Sequence, residues 1–433
     1  MQTLAQLRSG ALKGAVSLKL TEGLSHFPEE IFELADTLEL LDLSRNELTE
    51  LPADFGRLKK LKILFCSDNP FTALPTVLGD CPQLEMVGFK ANKITTIPAA
   101  SLNTNLRWLI LTNNYIIELP KEIGNCYRME KLMLAGNQLT ALPEELSHCH
   151  NLSLLRISAN KLAALPGWLL AMPRLSWLAF AGNLFGTGAH AATLPFINWR
   201  ELHIDRMLGE GASGIIYGGT MQGETAKKDI AIKVFKGAVT SDGLPQDEMN
   251  AAIEAGSHPG LVRLIGQIAA HPEYKKGLVM DLIPEHFYNL GMPPVFNTCT
   301  RDVFKEGFHL SLAHVVKIAG TIASVASQLH TKGIMHGDLY AHNTLVDNEG
   351  NTLFSDFGAA SFYDTTDANI ASALERIEVS SFGYLLDDLI SLCNEQGVHP
   401  GFAKLKSLRD ACIAPAVASR PGFEFLSAEL QRI

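Results

Sequence analysis

Two carboxylates and one amide stand close together in the second half of the 433-residue chain. Asp338 and Asn343 belong to the run HGDLYAHN at residues 336–343, and Asp356 follows in SDFG at residues 355–358. Carboxylate and amide oxygens are ligands that Mg²⁺ prefers, and a carboxylate beside a hydroxyl can accept its proton. These residue types at this spacing are therefore suited to moving a phosphoryl group from a nucleotide to a hydroxyl.

The residues between the two motifs predict the element that positions them. Residues 343–347 have a strand pattern, residues 349–351 a turn composition, and residues 352–354 a second strand pattern. Such a hairpin would bring Asp338 and Asp356 to neighbouring loop ends of one cleft. An amphipathic helix predicted over residues 311–330 would deliver the chain to the first motif.

A glycine-rich stretch, GEGASGIIYG, occupies residues 209–218. Glycines let the backbone approach phosphate oxygens closely, but G-x-G-x-x-G alone also occurs in dinucleotide sites. A dinucleotide site requires a helix after the third glycine, whereas β-rich residues follow here. The next strand pattern then ends in the run IAIK, whose last residue is Lys233. The stretch therefore favours a mononucleotide phosphate site with a partner lysine.

Taken together, these motifs resemble the protein kinase family over about residues 205–425. The resemblance implies an α+β bilobal fold across 201–433, with an N-lobe of about 201–282 and a C-lobe of about 283–433. It also implies ATP as the phosphoryl donor and Mg²⁺ as the cofactor.

The resemblance also implies a role for each polar residue. Asp338 is expected to be the catalytic base, and Asn343 and Asp356 are expected to hold Mg²⁺. Lys233 is expected to contact the phosphates and to pair with a carboxylate, for which Glu248 is preferred. The expected nucleotide-binding residues come from the glycine-rich stretch, the lysine strand and a hinge strand: Gly209, Glu210, Gly211, Gly214, Ile216, Ala231, Lys233, Met280, Asp281 and Ile283.

Asp247 and Glu254 compete with Glu248 as the partner of Lys233, because all three carboxylates fall in one helical stretch. Glu248 is preferred for its distance from the His258-Pro259 pair, which is similar to the distance found in kinases. The other two are interpreted as solvated helix charges.

Departures from the family pattern define the type of kinase. Gly337 stands where most kinases have an arginine, and only residues 359–377 separate Gly358 from the stretch beginning at Glu378. That stretch resembles the helix usually introduced by an aspartate. A short activation segment without the arginine leaves two alternatives: a small-molecule kinase of the aminoglycoside and choline type, and a repeat scaffold with a nucleotide-binding pseudokinase.

The first part of the chain is an internal repeat with one asparagine in each unit. The pattern Leu-x-Leu-x-x-Asn-x-Leu-x-x-Leu-Pro is that of the leucine-rich repeat, which implies an α/β solenoid. We predict seven repeats and a degenerate N-terminal cap over residues 1–186, then a linker over 187–200. The repeat asparagines are Asn46, Asn69, Asn92, Asn114, Asn137, Asn160 and Asn183.

Large apolar residues recur at strand positions that would project from the concave face of the solenoid. Such a surface favours a protein partner, either a substrate, a regulator or the kinase domain of the same chain. The alternative is that Trp108 and Trp177 pack against neighbouring repeats. The residues expected to make this contact are Phe65, Trp108, Ile110, Met133 and Trp177.

Composition narrows the possible partners and the compartment. Most of the net charge of −10 falls on residues 200–433, which argues against a nucleic-acid partner. The chain has no run of eighteen apolar residues, so no membrane span is expected. Seven scattered cysteines predict a reducing, cytoplasmic location. Serine or threonine is favoured over tyrosine as the acceptor on frequency alone.

Overall fold

The computed structural model describes residues 2–185, 192–211, 213–222, 227–236, 239–395 and 400–433. Its contacts divide the chain into two compact units. The first comprises Met1–Leu175 with Asn183–Phe185, and the second comprises Ser176–Gly182 with Gly186–Ile433.

A short helix, α1 (Leu4–Arg8), precedes a parallel sheet of eight strands arranged in chain order. Each strand has three residues, because each repeat turns as soon as its buried leucines are placed. The middle residue of every strand is buried, which makes one continuous apolar column. The strands are β1 (Ser17–Lys19), β2 (Leu40–Asp42), β3 (Ile63–Phe65), β4 (Met86–Gly88), β5 (Trp108–Ile110), β6 (Lys131–Met133), β7 (Leu154–Arg156) and β8 (Trp177–Ala179).

The repeat asparagines close the turns after the strands. The Asn46 amide donates to the Leu43 carbonyl at 2.8 Å and to the Leu20 carbonyl at 2.9 Å, while its oxygen accepts from the Leu24 N–H at 2.9 Å. The later asparagines repeat this pattern, so buried backbone groups are satisfied in each unit. The predicted solenoid is thereby confirmed.

Short 3₁₀ helices return the chain along the other side of each repeat. Six of these seven helices bury at least one large apolar side chain, and the buried residue of the seventh is Ser101. The helices are Glu29–Leu34, Phe55–Arg57, Thr76–Asp80, Ala99–Ser101, Lys121–Asn125, Glu144–His148 and Leu169–Ala171.

The second unit begins with a six-stranded sheet in the order β10-β11-β12-β14-β13-β9. Strand β9 pairs in parallel with β13, so part of the predicted linker 187–200 is a strand of this unit. Residues 187–191 lie outside the described residues. The elements are β9 (Phe196–Asn198), β10 (Leu202–Glu210), β11 (Gly214–Gln222), β12 (Lys227–Phe235), α2 (Pro245–Ala255), β13 (Leu264–Ala269) and β14 (Gly277–Asp281).

The rest of the second unit is mainly helical, with its apolar core between the helices. The predicted hairpin is confirmed, since two antiparallel strands pair Thr344 with Phe354. The elements are β15 (Tyr288–Asn289), α3 (Leu312–Thr331), β16 (Ile334–Met335), β17 (Thr344–Val346), β18 (Thr352–Phe354), β19 (Ser361–Phe362), α4 (Ala368–Leu392), α5 (Pro400–Cys412) and α6 (Phe423–Leu430).

Helix α3 is, among the described residues, the one helix long and apolar enough to cross a membrane by length and composition. A core helix passes the same test, and the apolar residues of α3 lie in the core shared with α4 and α6.

Helix α4 differs from the expectation at its start. It begins at Ala368, where the Asp367 carboxylate caps the Asn369 and Ile370 N–H groups. Glu378 therefore lies inside α4. Only residues 359–367 separate Gly358 from the start of this helix. The start of α4 is thus set by the capping side chain of Asp367.

Candidate active site

Asp338 and Asn343 lie on the loop between β16 and β17. The Asn343 side-chain N–H donates to the Asp338 carboxylate at 2.8 Å and to the Asp338 carbonyl at 3.0 Å. Because the amide nitrogen is used in this way, the Asn343 side chain would offer its oxygen to a cation. The 3₁₀ turn Ala341–Asn343 fixes the spacing between the two side chains.

Asp356 follows β18 at the end of the hairpin, and its side chain is exposed. Its φ is 64°, a left-handed conformation that aspartate tolerates better than most residues and that is common at functional sites. Its carboxylate accepts the Gly358 N–H at 3.1 Å. The hairpin thus places this carboxylate beside Asn343 on the wall of one cavity.

Lys233 on β12 forms a hydrogen-bonded ion pair with Glu248 on α2. The predicted partner is thus the one that the structure brings to Lys233. Burial alone would lower the pKa of Lys233, but the Glu248 and Asp356 carboxylates outweigh this and hold the pKa above its usual value. The ammonium group therefore remains charged and faces the side of the cavity where phosphates would lie.

Lys233, Glu248, Asn343 and Asp356 line a cavity of about 640 Å³ in the second unit, whereas Asp338 is not among its lining residues. Its walls are largely apolar, with a few polar groups at one side, which is typical of sites for small organic ligands. Of the predicted residues, the cavity is lined by Gly209, Ile216, Ala231, Lys233, Glu248, Met280, Ile283, Asn343 and Asp356.

Three predicted nucleotide residues are engaged elsewhere. Gly214 packs against β12, where a Cβ atom would lie 2.7 Å from the Val234 carbonyl oxygen. Glu210 pairs with Lys236, and the Asp281 N–H donates to the Arg263 carbonyl. Gly214 is thus required for strand pairing, which predicts that its effect on the nucleotide is indirect.

Gly209 and Gly211 have open space where a Cβ atom would lie. The Gly211 N–H donates to the Gly214 carbonyl at 2.9 Å, which folds this stretch back on itself. Ala212 lies outside the described residues. The open side of these glycines is compatible with the expected close approach of phosphate groups.

Sequence reasoning missed the apolar residues that complete the cavity. Leu208, Leu345 and Phe287 line it together with the predicted residues. Their positions beside the glycine-rich stretch, within β17 and after the hinge carry no motif, so only the folded chain brings them together.

The carboxylate of Glu378, which the sequence analysis placed at the position usually held by an aspartate, is fully buried. It accepts the N–H groups of His336 and Gly337 and a hydrogen bond from the ring of His330. Burial would raise the pKa of Glu378, but His330, the His336 side chain and the Gly337 N–H outweigh burial and lower it. The ionised carboxylate therefore fixes the start of the loop that carries Asp338.

Trp177 departs from the expectation of an exposed concave-face residue. It is 1% exposed and belongs to the second unit, where its ring stacks on Tyr340 with centroids 4.6 Å apart. It is therefore not open to an external partner.

The other four residues of the predicted contact face are half-buried on β3, β5 and β6. Trp108 lies beside the neighbouring repeat, with the Lys131 ammonium 4.0 Å from its ring centroid. This contact agrees in part with the alternative in which the tryptophan packs against a neighbouring repeat.

Comparison with known families identifies both parts of the chain. The model for protein tyrosine and serine/threonine kinases matches residues 202–380. Models for leucine-rich repeats match residues 37–58 and 104–162. Repeats of this kind generally mediate contacts between proteins.

Individual relatives match less than half of this chain and a smaller share of their own length. The mouse (Mus musculus) receptor tyrosine-protein kinase erbB-4 is 29% identical over 40% of this chain and 12% of its own. A probable serine/threonine-protein kinase of Dictyostelium discoideum is 30% identical over 38% and 9%. Wall-associated receptor kinase-like 21 of Arabidopsis thaliana is 28% identical over 48% and 32%. The chain thus spans about a third or less of the length of these relatives.

Proposed function

Because the chain joins leucine-rich repeats to a domain of the protein kinase family, we propose that it transfers the γ-phosphoryl group of ATP to a hydroxyl of another protein. The observation that carries this proposal is the Lys233–Glu248 pair together with Asn343 and Asp356 around one cavity, with Asp338 hydrogen-bonded to Asn343.

Asp338 accepts the proton of the attacking hydroxyl in this proposal. The hydroxyl oxygen forms its bond to the γ-phosphorus, and ADP leaves with the electron pair of the bond that breaks. Asn343 holds the Asp338 carboxylate in place for this step. Lys233 binds the phosphates, and Glu248 orients Lys233.

Asn343 and Asp356 supply an amide oxygen and a carboxylate on one side of the cavity, a donor set that fits Mg²⁺. When bound, Mg²⁺ neutralises negative charge on the phosphates. The apolar walls, which include Ala231, Met280 and Leu345, would enclose the purine.

Serine or threonine is the favoured acceptor, supported by the names of several similar kinases. Tyrosine remains in the test as a second acceptor, because the mouse and human receptor tyrosine-protein kinase erbB-4 are also similar. The protein kinase family match disfavours a small-molecule kinase, and the complete set of phosphate-handling residues disfavours a pseudokinase.

The repeats would bring a protein substrate or regulator to the kinase. The surface that we propose for this contact is formed by Phe65, Trp108, Ile110 and Met133, which remain partly exposed. Trp177 is not part of this surface, because its ring is buried within the second unit. We also propose a cytoplasmic location, supported by seven free, buried thiols.

The test is transfer of labelled phosphate from ATP in the presence of Mg²⁺. The purified full chain is offered a mixture of serine, threonine and tyrosine peptides, generic proteins and small alcohols, with an Asp338→Asn preparation as the control for contaminating kinases. Label on serine or threonine that is lost in the control supports the proposal. Label on small alcohols alone, or none at all, contradicts it.

A further inference from the structure

Trp177 packs directly on the loop that carries Asp338 and Asn343, although it stands in the last repeat of the sequence. Its ring is parallel to that of Tyr340, with an interplanar angle of 2°, and it also stacks on Tyr384 at 5.5 Å. The indole N–H donates to the Leu339 carbonyl at 3.1 Å. Leu339 and Tyr340 are the two residues after Asp338, so the contact reaches the backbone next to the proposed base.

The neighbouring backbone explains the glycine at position 337. Gly337 has a φ of 75°, and a Cβ atom there would lie 2.7 Å from the carbonyl oxygens of both Leu178 and Ala359. No larger side chain fits this site without moving one of these two backbones. The arginine that kinases of the common type carry here is therefore replaced by close backbone packing.

Residues 176–182, which include Trp177 and Leu178, also contact the chain that follows the SDFG motif at residues 355–358. The Phe180 and Ala181 N–H groups donate to the Ser361 hydroxyl at 2.8 and 3.1 Å. The Ser176 hydroxyl bonds to the Ser380 hydroxyl of α4 at 2.9 Å. Residues 176–182 thus contact the catalytic loop, the short segment after Gly358 and α4 at once.

We propose that residues 176–182 are a built-in positioning segment that orders the catalytic loop and residues 359–363. The inference rests on the proposed kinase function. The segment lies in place while the Lys233–Glu248 and Asn343–Asp338 hydrogen bonds are both formed, so it accompanies an assembled site. Trp177 acts through Leu339 and Tyr340, which makes it a positioning residue and not a catalytic one.

Kinetics of Trp177→Ala in the full chain test this directly. Displacement of the loop should lower kcat by about 100-fold, since small misplacements of reacting groups have effects of this size. The KM for ATP should change much less than kcat, because Lys233, Glu248 and most of the cavity wall lie on elements that Trp177 does not contact. The matched control is Trp168→Ala, which removes a half-buried tryptophan of the first unit beside the helix Leu169–Ala171 and should leave kcat unchanged. Wild-type kcat in folded Trp177→Ala, or a change in KM alone, overturns the proposal.

Trp177→Phe covers the case in which Trp177→Ala does not fold. A phenyl ring can still stack on Tyr340 but cannot donate to the Leu339 carbonyl. Loss of one hydrogen bond should lower kcat by about 2- to 10-fold in a chain that stays folded at the assay temperature, with a melting temperature only modestly lowered. An unchanged kcat in this variant means that the N–H contact does not position the loop and overturns the proposal.

Hydrogen exchange separates this inference from the proposed function. In the absence of substrate, Trp177→Ala, or Trp177→Phe if the former does not fold, should exchange faster at residues 336–343 and 359–363. The exchange of β12 and α2 should remain at the wild-type rate. This readout stands even if the wild-type chain transfers no phosphate, a result that would count against the kinase proposal alone. Unchanged exchange in both segments overturns the positioning proposal.

Discussion

Asp338 and Asp356 carry the same functional group in different surroundings. The Asp338 carboxylate is held by the Asn343 amide at 2.8 Å, on the loop that Glu378 anchors. Asp356 lies on the cavity wall, and its charge helps to raise the pKa of Lys233. In the proposed reaction the first meets the attacking hydroxyl, and the second meets the nucleotide and its metal ion.

Substitution by asparagine should therefore affect the two positions differently. Asp338→Asn is expected to lower kcat by about 10²- to 10⁴-fold, because the base is lost, while the Kd for ATP stays unchanged. Asp356→Asn is expected to weaken nucleotide binding in Mg²⁺ and to have little effect on binding without it. Titration calorimetry with and without Mg²⁺, beside steady-state kinetics, checks both. Equal turnover by Asp338→Asn and wild type would falsify the assignment.

Two glycines of the glycine-rich stretch, residues 209–218, differ in the space around them. Gly214→Ala should lower the melting temperature, because its Cβ atom would meet the Val234 carbonyl oxygen at 2.7 Å. Gly211→Ala is the matched control, since its Cβ atom would enter open space. It should keep the melting temperature and raise the KM for ATP by obstructing the phosphates. Thermal unfolding and ATP titration of both variants provide the check, and equal melting temperatures would contradict the structural role of Gly214.

At the scale of elements, the short segment before α4 has little room for regulation. Ser361 accepts two backbone N–H groups, and the Tyr363 hydroxyl bonds to His330. Both hydroxyls are buried, so a phosphate on either would displace the chain that holds them. Residues 359–363 are thus ordered by packing and hydrogen bonds, whereas residues 364–367 are exposed.

Kinase activity should consequently not depend on phosphorylation of this segment. Gly337 offers no guanidinium to bind a phosphate, so the charge-assisted contact of other kinases has no donor at this position. Phosphatase treatment, with removal verified by mass spectrometry, should leave the initial rate unchanged. A large loss of rate that returns after incubation with ATP would show that a phosphate is required.

Helix α4 carries a titrating carboxyl, Asp388. Burial raises its pKa to about 6, with Asp302 and Asp387 adding to the effect and Arg301 opposing it. The folded state thus binds this proton more tightly than the unfolded state, whose carboxyl titrates near 3.8. The stabilisation is present below pH 3.8 and is lost as the pH rises through 6.

Asp388→Asn should remove this contribution to the pH dependence. Relative to the variant, the wild-type chain should lose stability between pH 4 and 6, by at most about 3 kcal/mol for two pKa units. Asp410→Asn, which changes an exposed carboxyl on α5, is the control. Parallel curves of melting temperature against pH for wild type and Asp388→Asn would count against the raised pKa.

At the scale of the whole molecule, the repeats and the nucleotide cavity belong to different compact units. Asn137 joins backbone groups of consecutive repeats, donating to the Leu111 and Leu134 carbonyls at 2.9 Å. Its contacts lie within the first unit, so a local loss there should leave the cavity intact.

Asn137→Ala should therefore destabilise the repeats without weakening ATP binding. Unsatisfied buried carbonyls cost about 1–3 kcal/mol, which should appear as a lower unfolding midpoint for the first unit. Asn151→Ala is the control, because its amide bonds to the Tyr127 carbonyl at the surface. Denaturant unfolding and ATP titration measure the two effects, and loss of ATP affinity in Asn137→Ala would contradict the separation.

Much of this protein follows from local sequence. The asparagine period specifies the solenoid, because each repeat makes the same contacts with its neighbour. The spacing of Asp338, Asn343 and Asp356 specifies the loop and hairpin, since both are short-range structures. The partner of Lys233 was predicted as Glu248 from the resemblance to kinases, because Asp247 and Glu254 lie on the same helix and local sequence does not separate the three.

Long-range packing decided the rest. In sequence Trp177 and Trp108 occupy the same repeat position, yet one stacks on Tyr340 and the other lies beside Lys131. Residues 196–198, inside the predicted linker, form strand β9 because they pair with β13. Periodicity describes a residue and its near neighbours along the chain. It carries no information on a hydrogen-bond partner 162 residues away, such as the Leu339 carbonyl to which Trp177 donates. Only the folded chain brings these two residues together.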